Sequence, residues 1–505
     1  MKVNQIKAGA ILSYVSMGLS SIISIFYTPV MLRLLGQSEY GLYSLANSVV
    51  SMLGILSGGF NSAYIRFYLK NKVRNDEKAM AETNGLFLIV FSIIGLIALI
   101  CGGILVFNTQ HMFGETLTPI ELQKTRILMC LLVFNIAISF PFNIFNGHIS
   151  ANEKYIYQKL AIILKIILSP FIILPALLLG FKSIAMISIT VALNIALELA
   201  NMIFCFTKLK IKFRFTGFQK GIFIEILSFS IFIFINIIVD QINWNVDKFI
   251  LGMLQGTVAV AIYGVAAQLN GYFMTISMVI SSVFIPRVNK LVFSKDSNSE
   301  LVMLMTKVGP LQFLLLMLIF TGILIFGREF ITIWAGSDYT DSYLITVVLI
   351  AGSIIPYIQT IGVEIQKAKN MHRFGAILYV FIAVFNLMVS VILCKKYAGL
   401  GCAIGTAIGL VVGNGLIMNW YYSKKIKLDI KYFWTQILRL FPSVVFPCVI
   451  GMIVLHFISI QGIIGLCFGG VLYVIIYLIS IWHLGMNGYE KGLVSGIGRK
   501  ILRIR

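Results

Sequence analysis

The sequence predicts an all-α polytopic membrane protein. It should have about 14 transmembrane helices: two six-helix lobes in parallel repeat, then two C-terminal helices. Three observations predict this. Of the 505 residues, 59% are hydrophobic and 12% charged, whereas soluble domains are nearer half apolar and a quarter charged. Uncharged apolar runs of about 18 residues or more recur along the whole length, each long enough to cross a bilayer as a helix. The basic residues crowd into alternate loops.

The spans are expected at 8–32, 42–65, 85–107, 127–146, 156–180, 184–206, 222–241, 258–284, 303–326, 342–363, 374–394, 399–421, 433–456 and 462–484. Lys2 and Lys7 precede the first run like the start of a leader peptide. No small-residue cleavage site stands before Thr28-Pro29, so the first span should be retained.

Charge orients the spans. With the N-terminus in the cytoplasm, thirty of the 40 Lys and Arg fall in cytoplasmic segments, densest at 66–78, 208–220 and 491–505. Eight fall outside: Arg33, Lys124, Arg126, Lys182, Lys248, Arg328, Lys395 and Lys396. Lys165 and Arg439 lie inside spans. This positive-inside pattern places both termini in the cytoplasm. The net charge of +21 is then mostly topology, with attraction to anionic lipid headgroups, and calls for no nucleic acid.

The chain repeats itself. Pro141 and Gly147 are spaced like Pro356 and Gly362, and Lys182 precedes span 6 as Lys395 precedes span 12. Small residues at Ser188, Ala192, Ala196 and Ala200 match Gly401, Gly405, Gly409 and Gly413. The polar break LLGQSEYGLYSLAN at 34–47 has a looser counterpart near Gly252–Val265. Aligning Gly36 with Gly252 and Tyr43 with Tyr263 implies a four-residue insertion in the second copy. Spans 1–6 and 7–12 thus read as two copies, and six being even, both have the same membrane orientation. The expected divisions are an N-lobe at 1–206, a cytoplasmic linker at 207–221, a C-lobe at 222–423, and spans 13 and 14 with a basic tail at 424–505.

Several chemistries are disfavoured. The seven cysteines lie in apolar runs without a CxxC pair and the five histidines are scattered, so neither metal nor redox cofactor is expected. Gly399-Leu400-Gly401 lacks the strand–turn–helix context of a nucleotide loop. Glycines four apart instead let another helix approach closely. A membrane glycosyltransferase or glycan polymerase would need a catalytic acid or base. Glu115, Glu121, Glu329, Asp338 and Asp341 in the outer loops form no paired constellation.

Polar groups inside spans are costly and become the site candidates. Ser13, Ser16, Ser20, Ser24 and Thr28 share one face of span 1, and Asn47, Ser51, Gly54, Gly58 and Asn61 share one face of span 2. Each stripe is either a packing seam or the wall of a wet cavity. Lys165 in span 5 and Glu198 in span 6 sit at comparable depth, as an ion pair or as substrate or ion contacts. Arg33 and Arg66 flank span 2. Asp240, Asp247 and Lys248 surround Asn243-Trp244-Asn245, where an indole among amides could stack on a sugar or simply anchor the interface. Glu364 follows Pro356 and Gly362 as a solvated acid or a proton or cation site. Pro29, Pro141 and Pro356 can kink their helices.

The run Pro29…Arg33-Leu34-Leu35-Gly36-Gln37-Ser38-Glu39-Tyr40-Gly41-Leu42-Tyr43 resembles the first outer turn of Wzx-type bacterial polysaccharide flippases. Gly58-Gly59-Phe60-Asn61 followed by Ile65-Arg66-Phe67-Tyr68 resembles that family's second helix. The resemblance implies membership of the multidrug/oligosaccharidyl-lipid/polysaccharide exporter superfamily, in a bacterial cytoplasmic membrane. It implies a non-enzymatic transporter that flips an undecaprenyl-diphosphate-linked oligosaccharide for O-antigen, capsule or exopolysaccharide synthesis. Arg33, Arg66, Lys165, Asn47, Asn61, Trp244 and Lys248 are then the cavity candidates for substrate. Glu198, Asp240 and Glu364 are the coupling candidates for Na⁺ or H⁺ where an ion is used. Expected partners are the lipid-linked substrate, membrane lipids and the glycan polymerase and assembly proteins, with the chain working as a monomer. The rival is a multidrug/cation antiporter of the same superfamily, for which Glu198 is the best support and spans 13 and 14 are superfluous.

Overall fold

The structure, a computed structural model, describes the backbone of residues 4–57, 59–216, 220–292, 294, 297–369, 371–457, 462–486 and 491. Among these residues it is helical throughout, without a strand. In chain order the helices are α1 (Gln5–Leu35), α2 (Gln37–Ser51), α3 (Phe60–Val73), α4 (Glu77–Phe107), α5 (Thr109–Phe113), α6 (Pro119–Ala151), α7 (Tyr155–Leu178) and α8 (Ser183–Thr207). There follow α9 (Lys220–Leu291), α10 (Ser297–Trp334), α11 (Ser342–Ile358), α12 (Thr360–Ala368), α13 (His372–Leu410), α14 (Asn419–Tyr421), α15 (Ile430–Phe457) and α16 (Gly462–Ser480).

Among the described residues, eleven helical stretches are long and apolar enough to cross a membrane, twelve when the bent pair α11–α12 is one span. The two longest divide further. α9 breaks at Gly256 and α13 at Ala398, both with non-helical backbone. Dividing there, and joining α2 to α3, gives fourteen membrane-long rods among the described residues, in the order of the expected spans. The chain is a multi-pass membrane protein. Its apolar side chains point outward as a lipid-facing surface requires: Ile464 is 83% exposed and Phe468 72%.

By packing the chain forms two compact units, Met1–Gly264 with Leu387–Cys402, and Val265–Asn386 with Ala403–Arg505. In the first, α6 is the central post. Close approach sets its packing: a Cβ at Gly95 of α4 would lie 2.6 Å from the Ala137 carbonyl oxygen. Tyr64, Phe87, Phe91, Ile144 and Ile149 form a dry core between α3, α4 and α6. In the second, α15 and α16 pack on α10. Tyr473 Oη donates to Thr321 Oγ1 at 2.7 Å and Tyr477 Oη to the Leu314 carbonyl at 2.8 Å, while Phe433 fills the gap at Gly309. Gly413 of the four-spaced series sits so close that a Cβ would meet Ile382 Cδ1 at 2.0 Å.

The repeat is visible in the backbone, with one correction. Gly36 breaks α1 from α2 at φ 81, ψ 169, and Gly256 breaks α9 at φ 80, ψ −171. These are nearly one conformation, in a region open to glycine. Gly36 therefore corresponds to Gly256, not Gly252. The offset of 220 is that of Tyr43 and Tyr263, so the second copy carries no four-residue insertion. Gly252 serves packing instead, since a Cβ there would lie 2.5 Å from Leu45 Cδ1.

Candidate functional site

The polar residues of α6, α7 and α8 meet inside the first unit. On α8, Asn194, Glu198 and Asn201 recur at three- and four-residue spacing and so share a face. Across from them α6 presents Asn135 and Asn146, three turns apart, and α7 presents Lys165. Lys165 Nζ donates to Asn194 Oδ1, and Asn194 Nδ2 donates to Asn135 Oδ1 at 3.3 Å. One turn further along, Asn146 Nδ2 donates to a Glu198 oxygen at 3.0 Å and Asn201 Nδ2 to Asn146 Oδ1 at 2.8 Å. Glu198 and Lys165 are half-buried and share no direct ion pair among the described residues. Asparagines hold each of them separately. Asn201 is buried, and its Oδ1 accepts from no donor among the described residues.

The arrangement has a definite chemical capacity. A cation and an anion stand on one polar ladder inside apolar helices, about 33 residues apart in sequence but on neighbouring helices. Lys165 can meet a phosphate oxygen; Glu198 with the free Asn201 oxygen can meet a proton or a small cation. Among the described residues no group of three His, Cys, Asp or Glu could hold a metal ion.

The other candidates fall elsewhere. Asn47 is the exposed residue on an otherwise buried stretch of α2, and Asn61 and Arg66 are exposed on α3. Between Asn47 and Asn61, Ser51 is half-buried and donates to the Ser48 carbonyl at 2.9 Å. Arg33 is exposed at the end of α1. On α1, Ser13 Oγ donates to the Gly9 carbonyl and Ser16 Oγ to that of Ser13. Trp244 is exposed. Asn245 beside it donates to Gln241 Oε1 at 2.6 Å, and Asp247 turns inward to accept from Tyr263 Oη at 2.6 Å. Lys248 is half-buried next to it. The side chains of Asp240 and Asn243 lie outside the described residues. Glu364 accepts from Lys367 Nζ at 2.8 Å, one turn along the same helix.

One cluster was not singled out from the sequence. Glu39 holds Lys124 and Ser183, by its hydroxyl and its backbone N–H. Glu121 accepts from Ser38 Oγ at 2.7 Å and Thr257 Oγ1 at 2.8 Å while closing a capping box with Thr118. Lys182 Nζ donates to the Leu34 carbonyl at 2.9 Å. Together they clasp the Gly36 turn to the starts of α6 and α8 and to the segment after Gly256. The signal available was the Ser38-Glu39 pair inside the polar break; its partners are 83 to 144 residues away and no spacing announces them. Beside this clasp a cavity of about 790 Å³ opens at the end of α4, with Asn108, Gln110, His111, Glu115 and Arg126 on its walls.

The chain is similar to known proteins in sequence and in fold. A family profile described as "Polysaccharide biosynthesis protein" matches residues 6–292. A protein named as an O-antigen transporter in Shigella flexneri is 22% identical over 401 residues, 78% of this chain and 91% of its own. One named as a low-salt glycan biosynthesis flippase in Haloferax volcanii is 26% identical over 243 residues, covering 47% of this chain and 50% of its own. Among solved structures, lipid II flippase MurJ in an inward closed conformation superposes with TM-score 0.72 at 17% identity, over 94% of this chain and 97% of that one. An inward-facing multidrug resistance MATE transporter of the MOP superfamily gives TM-score 0.64 at 14% identity, over 84% and 99%. At such identities the structural likeness speaks for the fold.

Proposed function

The chain belongs to the polysaccharide biosynthesis protein family, and from that premise we propose that it flips an undecaprenyl-diphosphate-linked oligosaccharide across a bacterial cytoplasmic membrane. The observation that carries the reading, beyond the family, is the ladder of Lys165, Glu198 and four asparagines on α6, α7 and α8. A diphosphate crossing a bilayer needs a cation within the hydrocarbon layer, and Lys165 supplies one. Exposed Asn47, Asn61, Arg66 and Trp244 offer amides, a cation and an indole to a sugar and its phosphates. Arg33 and Lys248 would act at the expected outer end.

The transport cycle proposed is alternating access between the two repeats, with both termini in the cytoplasm. Glu198 and the unpartnered Asn201 oxygen support coupling to H⁺ or Na⁺; Asp240 and Glu364 are further candidates for that role. The protein would work as a monomer and deliver its cargo to a glycan polymerase. The names of the two relatives, a transporter and a flippase, favour a transporter over an enzyme.

The test is in cells. Deleting the gene should strand lipid-linked repeat units on the inner leaflet, and restoring the wild-type chain should release them. Surface glycan that persists in the deletion strain, with no suppressor flippase, overturns the reading. Glu198 also favours a second reading, a cation antiporter. Gradient-driven uptake of a cationic dye into vesicles, without flipping of a lipid-linked glycan, would establish that one.

A further inference from the structure

Where α9 ends and α10 begins, the second unit contains a small cavity of about 190 Å³. Its walls include Phe284 and Arg287 of α9 and Glu300, Lys307 and Leu311 of α10. Arg287 and Lys307 are exposed, and the ion pairs among the described residues involve neither. Glu300 is half-buried and accepts from Ser294 Oγ at 2.7 Å.

The depth of these groups in the bilayer follows from the sequence. Residues 308–327 carry no charge and are bracketed by Lys307 and Arg328. Twenty helical residues rise about 30 Å, the thickness of the hydrocarbon layer. Lys307 therefore stands at its edge. Arg287 is likewise the first charged residue after the uncharged stretch 249–286. Phe284 and Leu311 are each one turn deeper, in the hydrocarbon, and Glu300 is two turns further out. The cavity is layered: apolar at the bottom, cationic in the middle, with one carboxylate at the top.

We propose that this cavity seats the phosphoglycerol headgroup of one phosphatidylglycerol molecule from the surrounding leaflet, the acyl chains lying outside it. The phosphodiester lies between Arg287 and Lys307, the strongest class of hydrogen-bond partners for it. The acyl chains run down outside the cavity past Phe284 and Leu311, and a glycerol hydroxyl donates to Glu300. Net charge selects the lipid. Two cations and one carboxylate leave one positive charge, which a singly anionic headgroup neutralises and a zwitterionic one does not. The inference needs only a membrane-embedded chain and stands apart from the transported cargo.

The experiment is native mass spectrometry of the full-length protein titrated with phosphatidylglycerol, phosphatidylethanolamine or phosphatidylcholine. Phosphatidylglycerol should be retained about tenfold more strongly than the other two, and R287Q/K307Q should weaken it by about fivefold per cation removed. R287K/K307R, which keeps both charges, should retain the lipid. K290Q/K425Q removes the same charge from outside the cavity and should also retain it. The proposal is overturned if the three lipids bind alike, or if K290Q/K425Q loses as much as R287Q/K307Q. Displacement by soluble glycerol phosphate also overturns it, as does displacement by undecaprenyl diphosphate at matched concentration, which would make the cavity a cargo site.

Discussion

Gly41 stands against the backbone of Thr257: a Cβ at position 41 would lie 2.1 Å from the Thr257 carbonyl oxygen. The Tyr-Gly pair in the first polar break is therefore a contact between the two copies of the break. Gly264 makes the reciprocal approach, with Tyr40 and Ser44 3.1 to 3.4 Å from its would-be Cβ. Gly41→Ala pushes on backbone that cannot yield, whereas Gly264→Ala meets side chains that can turn. Gly41→Ala should destabilise by about 1–3 kcal/mol, the range for overpacked interiors, and Gly264→Ala by less. Melting of the detergent-solubilised variants measures both, and equal shifts would contradict this account.

The clasp around Glu121 makes a second prediction. Its carboxylate satisfies Ser38 Oγ, Thr257 Oγ1 and both donors of Thr118. Removing it orphans donors at three separate places. Glu121→Ala should cost about 1–3 kcal/mol, more than Ser38→Ala or Thr257→Val alone. Because both hydroxyls bond to the same oxygen, Oε1, a double-mutant cycle between Ser38 and Thr257 should show a coupling of at least about 0.5 kcal/mol. Additive losses would mean that the two hydroxyls act independently.

For the ladder on α6–α8, charge and shape can be separated. Lys165→Met is one atom shorter, stays unbranched and removes the cation; flipping of a lipid-linked glycan should fall about tenfold or more while expression and melting stay near wild type. Lys165→Arg should keep a measurable rate. Glu198→Gln keeps the hydrogen bond with Asn146 and removes the titration, so flipping should lose its dependence on an imposed proton or sodium gradient. A reconstituted vesicle assay with and without the gradient reads both. Gradient dependence that survives in Glu198→Gln would move coupling away from this residue.

How much of this was legible in the sequence divides along physical lines. The fourteen rods were, because apolar length is a local property that the bilayer enforces residue by residue. That Lys165 and Glu198 belong together was legible from depth alone, but their mediation by Asn135, Asn146 and Asn194 was not. The asparagines stand on two different helices, and spacing along each one does not say which faces meet. The Gly252 alignment failed because glycine serves two purposes, close approach and positive φ, and only the backbone tells them apart. Glu39 and Glu121 are plain in the sequence, but their partners stand near the starts or breaks of helices distant in the chain, and nothing in the sequence joins them.

The bend in the second unit carries the last prediction. α11 and α12 meet at 42°, just after Pro356, and the break leaves polar groups inside a core. Gln312 of α10, fully buried, gathers them. Its Nε2 lies 2.8 Å from Ser281 Oγ and 3.0 Å from Thr360 Oγ1, and Ser277 Oγ donates to the Tyr357 carbonyl at 2.7 Å. A bend sustained only by proline would straighten in Pro356→Ala. The amide hub instead fixes the broken turn from outside, so Pro356→Ala should keep most of the bend and lose little stability. Gln312→Leu has nearly the same volume but leaves the hydroxyls of Ser281 and Thr360 short of a partner, and should cost about 1–3 kcal/mol. Spin labels placed at either end of α11–α12 report the angle by their separation, and melting reports the stability. If Pro356→Ala straightens the pair while Gln312→Leu leaves both stability and separation unchanged, the proline alone makes the bend and the hub is incidental.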